Sequence, residues 1–364
     1  MARTDITQTD TTSMDTKVDD FSVNARIPDA ASEQPETTYD HTDFHKYFGY
    51  YKEIPELKKA IDFLALWTSG KGWTADARVT SLLENMRGWG EDTFESILFN
   101  MIVMKKVAGD AFAEVIRNEK TGTLVNLKPL DPGSIRIVTN KKGFVIRYDQ
   151  MEKSGKKDKV IHKFQPEDIL HLCNDRVADE IHGVSIIESV QWVIDAKQEA
   201  MRDWRRISHR ATVRILYIEE DDKTRLAAIK RDYPDAINKG ELLILPIKKG
   251  DADFVDLNLP PVESFLNWIK YLENFFYQAV GVPKVILGGS EEFTEASSKI
   301  AYLTFEQVYS KEQREVEADF WNQIALRFEL EKPVSLKNET LNSEEKNTGQ
   351  VGFQQNDTDV ESGR

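Results

Sequence analysis

A chain of 364 residues with 40% hydrophobic and 10% aromatic side chains carries enough apolar material for a large core spread over two or three domains. Its net charge of −14 argues against a protein that grips nucleic acid through a basic face, and no apolar run approaches the roughly 18 residues of a membrane span. The single cysteine, Cys173, excludes an internal disulfide and fits a reducing compartment.

Residues 1–40 hold nine Asp or Glu against three Lys or Arg among Thr and Ser, and they read as a disordered acidic tail. Their polarity argues against a secretory signal or transit peptide. The aromatic stretch HKYFGYYKEIP leads into a helix from about Pro55 to Trp67, with Leu57, Ala60, Ile61, Leu64 and Ala65 on one face. SGKGW breaks that helix. Helical blocks follow from about Val79 to Met86 and from Thr93 to Lys106. The latter contains SILFNMIVM, apolar nearly all round, which predicts burial on most sides. After Gly109 the period shortens to two. AFAEVIRN, LVNLKPL, SIRIVTN, FVIRYDQ and VIHKF predict strands, with EKTG, DPG, KKG and KSGKKD as turns, in a meander of hairpins. QPEDILHL closes the meander with a turn into a short element.

Gly183-Val184-Ser185 opens a helix to about His209, with Ser185 as its candidate N-cap and Ile187, Val190, Ile194, Met201 and Trp204 facing inward. A basic cluster, Arg202, Arg205, Arg206 and Arg210, lies at its end. Next come a strand (VRILYIEE), a helix broken by Pro234, and two strands (ELLILPI and DFVDLNL). Pro260 and Pro261 start an amphipathic helix. Its stripe is Val262, Phe265, Leu266, Ile269, Leu272, Phe276 and Val280, widened by Trp268, Phe275 and Ala279. Gly281 and Pro283 end it. A glycine-rich loop with an acidic tip follows, and Thr294 caps a long last helix. Ser310–Glu315 of that helix is wholly polar between two apolar stretches, which predicts a kink or a change of neighbour there.

Four phrases occur in a telling order: GDAFA at Gly109–Ala113, PEDILH at Pro166–His171, GVSI at Gly183–Ile186 and AVGVPKVILGG at Ala279–Gly289. Together with a small α/β insert between paired helices, this order resembles the portal proteins of tailed viruses over residues 44–330. Three positions depart from the family pattern. Val280 stands where an aromatic is usual, Lys284 where a second proline is usual, and Ile186 where a helix-starting proline is common.

The resemblance implies an α+β portal fold. Its parts would be a wing of helices and β-hairpins (41–182), stem helices (183–210 and 260–281), a clip (211–259), a tunnel loop (282–296), a long kinked helix (297–330) and a disordered tail or rudimentary crown (331–364). It implies a homo-oligomeric ring, typically of twelve copies, at one capsid vertex of the virion, assembled in the host cytoplasm. Double-stranded DNA would be packaged and ejected through it without sequence specificity. The implied partners are the terminase large subunit, the major capsid protein and a head–tail adaptor, with no membrane and no cofactor. Lys284, Gly288, Gly289, Ser290, Glu291, Glu292 and Phe293 would form the tunnel loop. Arg202, Arg205, Arg206, Arg210 and Lys299 would meet either DNA phosphates or a neighbouring subunit. An acidic protein suits a conduit, because each phosphate held by a cation adds affinity and hence drag.

The chain contains no P-loop, no G-x-G-x-x-G, no H-E-x-x-H and no G-x-S-x-G, so no catalytic residue is expected. His162, His171, Cys173 and His182 form H-x8-H-x-C-x8-H. That spacing is looser than structural zinc motifs and falls on strand positions, so the sequence predicts no metal site. Two other readings remain: a head–tail adaptor or minor capsid protein, against which the insert between paired helices counts, and a metal-dependent hydrolase built on the His/Cys set.

Overall fold

The computed structural model describes residues 36–152, 159–210, 214–217, 231, 242–245, 262–287 and 294–333. Five of the residues assigned to the acidic tail are ordered. Glu36–Asp40 form β1, which pairs antiparallel with β5 (Ile135–Asn140). Thr37, Thr38 and Tyr39 suit a pleated strand, and ion pairs tie its ends down. Arg136 Nε lies 2.5 Å from Asp40 Oδ1, and Arg147 Nη2 lies 2.7 Å from Glu36 Oε2.

The aromatic lead-in is itself a helix, α1 (Phe44–Glu53), because Phe44, Tyr47 and Tyr51 recur on one face and are buried. Pro55 starts α2 (Pro55–Ser69), whose Leu57, Ala60, Ile61, Leu64 and Ala65 are buried as the spacing predicted. A two-residue β2 (Trp73–Thr74) and α3 (Ala77–Glu84) lead to α4 (Phe94–Ala108). Thr93 and Ser96 close a capping box at its start, and Gly109, left-handed at φ 88°, ends it. Helix α4 is the centre of the main core, and even Lys105 and Lys106 are buried.

The strands after Gly109 form two sheets rather than one meander. β3 (Asp110–Arg117) lies between β4 (Leu124–Leu130) and β8 (Ile169–Cys173). The other sheet runs β1, β5, β6 (Val145–Met151), β7 (Val160–Phe164). The short element after Pro166 is thus a strand that returns to β3 and pairs Leu170 with Ala113.

Helix α5 (Ile186–Arg210) and helix α6 (Val262–Val280) pack on each other. Between them in sequence, β9 (Arg214–Tyr217) and β10 (Leu242–Leu245) pair in parallel, which requires a crossover connection, and Arg231 is helical. The strand expected at DFVDLNL lies outside the described residues.

Helix α7 (Glu295–Ile324) runs unbroken through Ser310–Glu315, so no break in the helix accompanies the polar stretch. The neighbours do change. Trp67 of α2 meets Tyr302, Phe305 and Tyr309, and one stretch later Phe94 and Phe328 meet Phe320. Between these clusters Glu312 and Gln313 are buried. The helix stops at Ile324, because Ala325 turns left-handed, and β11 (Glu329–Leu330) pairs back onto β2. Among the described residues no helix is long and apolar enough to cross a membrane.

Candidate functional site

Three of the sequence phrases meet at one carboxylate. Asp110, fully buried at the start of β3, accepts from the Gly183 backbone at 2.9 Å through Oδ1. The same oxygen lies 3.0 Å from Nε2 of His171, the last residue of PEDILH. Its other oxygen lies 2.6 Å from His182 Nδ1. Burial works against this charge, but hydrogen bonds from His171 and His182 outweigh it and hold the carboxyl well below the usual range. Around this point the backbones are knitted together. Asn174 N donates to the Gly109 carbonyl at 2.7 Å, and Val184 N donates to the Asn174 carbonyl at 2.8 Å. Ser185 donates its hydroxyl to the Val107 carbonyl at 2.6 Å and accepts from Ile187 N, so it caps α5.

The fold brings three of the four residues of the loosely spaced His/Cys set together. His171, Cys173 and His182 converge on Asp110, because β8 returns to β3 and the 174–185 connection folds over both. His162 stays apart on β7 against Phe164. His41 joins the group, with Nε2 3.6 Å from Asp110 Oδ2. Sequence reasoning missed His41 because it was placed at the edge of a disordered tail. Burial and then Asp110 push the Cys173 thiol well up, so it remains protonated.

The base of the 282–296 loop is held to the fold from two sides. Lys59 Nζ donates to the Leu287 carbonyl at 2.6 Å, and Lys284 Nζ lies 3.5 Å from Glu273 Oε2. Glu273 also pairs with Lys197 at 2.9 Å, and Lys197 reaches Glu56 at 2.7 Å. This chain of charges links α2, α5, α6 and the loop base. Val280 and Val282 are buried, so the position usually aromatic in the resembling family is a core position here. Gly288, Gly289, Ser290, Glu291, Glu292 and Phe293 lie outside the described residues.

Arg202, Arg205 and Arg206 are exposed on α5. Arg206 sits 3.4 Å from Asp203, and Arg202 lies 3.5 Å from the Gln198 side-chain oxygen. The Arg210 side chain lies outside the description. Lys299 is exposed on the first turns of α7.

The inward stripes predicted for the paired helices are only half inside. Ile187, Val190, Val193 and Ile194 of α5 and Ile269, Leu272, Phe276 and Val280 of α6 are buried. Met201, Val262, Leu266, Trp268 and Phe275 are exposed instead, with Trp192 and Tyr271 beside them. Trp192 meets Phe275 at 5.2 Å and Trp268 stacks on Tyr271 at 5.7 Å, so the residues form an aromatic face with solvent on its outer side. The core of the chain leaves these side chains uncovered.

No family model and no curated protein sequence matches the chain. Solved structures do. A chain in the neck of a native gene transfer agent (GTA) particle computed with C12 symmetry aligns with a TM-score of 0.60 at 15% identity, over 87% of this chain and 92% of that one. A chain of the virion of a native gene transfer agent particle gives 0.59 at 17% identity, over 86% and 91%. An HK97-family phage portal protein from Corynebacterium diphtheriae gives 0.53 at 12% identity, over 81% and 96%. Over most of its length the chain therefore shares the fold of these particle-neck and virion chains and of a phage portal protein.

Proposed function

We propose that this chain is the subunit of a homo-oligomeric portal ring at a capsid vertex, and that double-stranded DNA enters and leaves the particle through the ring's channel. The observation that carries this reading is the aromatic face of α5 and α6. Seven large apolar side chains lie outside the subunit's own core, on the helix pair of a fold also found in a particle neck computed with C12 symmetry. An exposed patch of that kind marks an interface between copies, and a closed ring buries it on every subunit. The role is structural: the terminase motor, the capsid protein and the head–tail adaptor dock on the ring, and no step of catalysis falls to this chain. The β9–β10 unit between the paired helices serves as the clip, and the loop after Leu287 lines the channel.

Light scattering on purified protein at micromolar concentration tests the ring and is expected to give a mass many times the 41.8 kDa subunit; a monomer overturns the reading. Removing Gly289–Glu292 tests the channel. Rings should still assemble, while the DNA protected from nuclease in assembled particles should fall. Normal protection would place the loop away from the DNA path.

A further inference from the structure

The cluster at Asp110 has more donor atoms than its hydrogen bonds use. His41 lies on the turn between β1 and α1, and its side chain is 9% exposed. Its Nε2 is buried, lacks a hydrogen-bond partner and faces Asp110 Oδ2 at 3.6 Å. His182 reaches the same oxygen through Nδ1, and its Nε2 is likewise buried and unpartnered. The ligand atoms of His41, Asp110 and His182 all lie within 4.8 Å of one another.

We propose that His41, Asp110 and His182 form a structural site for one zinc-class divalent cation, which staples the β1–α1 turn to β3 and to the connection entering α5. Two imidazoles and one carboxylate are a ligand set for a borderline-soft ion of this class. Donors bound about 2 Å from one tetrahedral ion stand about 3.3 Å apart. The 3.6 Å gap from His41 to Asp110 is near that value and too long for a hydrogen bond. The 2.6 Å contact from His182 Nδ1 would have to open by about 0.7 Å as the ion replaces the shared proton.

The surrounding shell suits the role. His171 and the Gly183 N–H hold the far oxygen of Asp110, as outer partners do around metal ligands. His171 and Cys173 make a competing triad with the same aspartate. The orphaned Nε2 of His41 and the Nδ1 of His182 both face Asp110 Oδ2, so these two residues and not the thiol are assigned as ligands.

The test loads the intact protein with zinc or cobalt, dialyses it, and measures metal content, melting temperature and the cobalt absorption spectrum. About one equivalent per chain, a melting temperature raised by several degrees, and a cobalt spectrum without a sulfur-to-metal charge-transfer band are expected. His41→Gln should weaken zinc binding at least tenfold, while Cys173→Ser should leave it unchanged. No retained metal and no thermal shift overturn the site. A thiolate band, or loss in Cys173→Ser with retention in His41→Gln, also overturns this assignment and moves the ion to the other triad. The wild-type cobalt spectrum decides the ligand set even where a variant fails to fold. Because the readout is metal content, the result is independent of whether the chain forms a DNA channel.

Discussion

Lys105 and Lys106 are neighbours in sequence, yet both reach one carboxylate. Lys105 Nζ lies 2.6 Å from Glu312 Oε1, Lys106 Nζ lies 2.7 Å from Oε2, and Lys106 also meets Asn174 Oδ1 at 2.7 Å. All three charged groups are buried. Burial disfavours the Glu312 charge, but Lys106 and Lys105 outweigh it and keep its carboxyl below the ordinary value of 4.5. Glu312→Gln should therefore cost about 3–5 kcal/mol in denaturant unfolding, because it removes the charge shared by two buried ammonium groups and leaves Lys105 only Glu315 at 3.7 Å and Lys106 only the neutral Asn174. The pH dependence follows from the sign. A depressed folded-state carboxyl stabilises the protein above the unfolded value and loses that contribution as pH falls through the folded value. Wild-type stability should thus drop in acid below about pH 4.5, and the drop should be shallower in Glu312→Gln. Equal slopes would show that Glu312 has no part in the acid limb.

At the scale of elements, two glycines decide how α4, β3, β8 and α5 close on one another. A Cβ on Gly109 would run into the carbonyl of Gly183, and a Cβ on Gly183 would run into that of Gly109. Gly109 also holds φ at 88°, where other residues are strained. Gly109→Ala should cost more than about 1 kcal/mol and lower the melting temperature by several degrees; an unchanged melt would mean the junction relaxes freely. Removing residues 1–40 should also lower the melt, since it deletes β1 and its two ion pairs.

These elements show what the sequence made legible. Helices with a clean apolar face, such as α2, or apolar nearly all round, such as α4, were readable in type and nearly in extent. So was the order of strands, because turn residues punctuate them. Strand partners were not, since period-two alternation says which face is buried but not which strand lies beside it; β8 joining β3 came from tertiary packing. The polar run of α7 misled for a related reason. Polarity normally marks solvent, and nothing local in Ser310–Glu315 shows that Glu312 faces two lysines some 200 positions away in the chain. The Asp110 cluster was half legible: three phrases were singled out, but their meeting point was not.

Over the whole molecule, the fold is shared at 12–17% identity with the matching solved structures. The aromatic face of α5 and α6 gives the assembly its clearest test. Trp268→Asp with Tyr271→Asp alters residues that are exposed in the subunit, so the subunit's own stability should change by less than about 0.5 kcal/mol. The mass in solution should fall from that of a ring to that of a subunit. Rings that survive both changes would place the interface elsewhere.

Helix α7 also has a mechanical meaning. Thirty residues of unbroken helix span roughly 45 Å. At its far end the chain is fastened twice, through β11 on β2 and through the 2.7 Å bond from the Leu330 N–H to Glu317. Near its middle the doubly gripped Glu312 fixes it against α4. Further back, Tyr302, Phe305 and Tyr309 also pack on Trp67 of α2. A rod held from Tyr302 onward is a cantilever only over the turns before it. Force applied near residue 294 would bend those first turns and reach the rest of the fold as torque about the Trp67 contact.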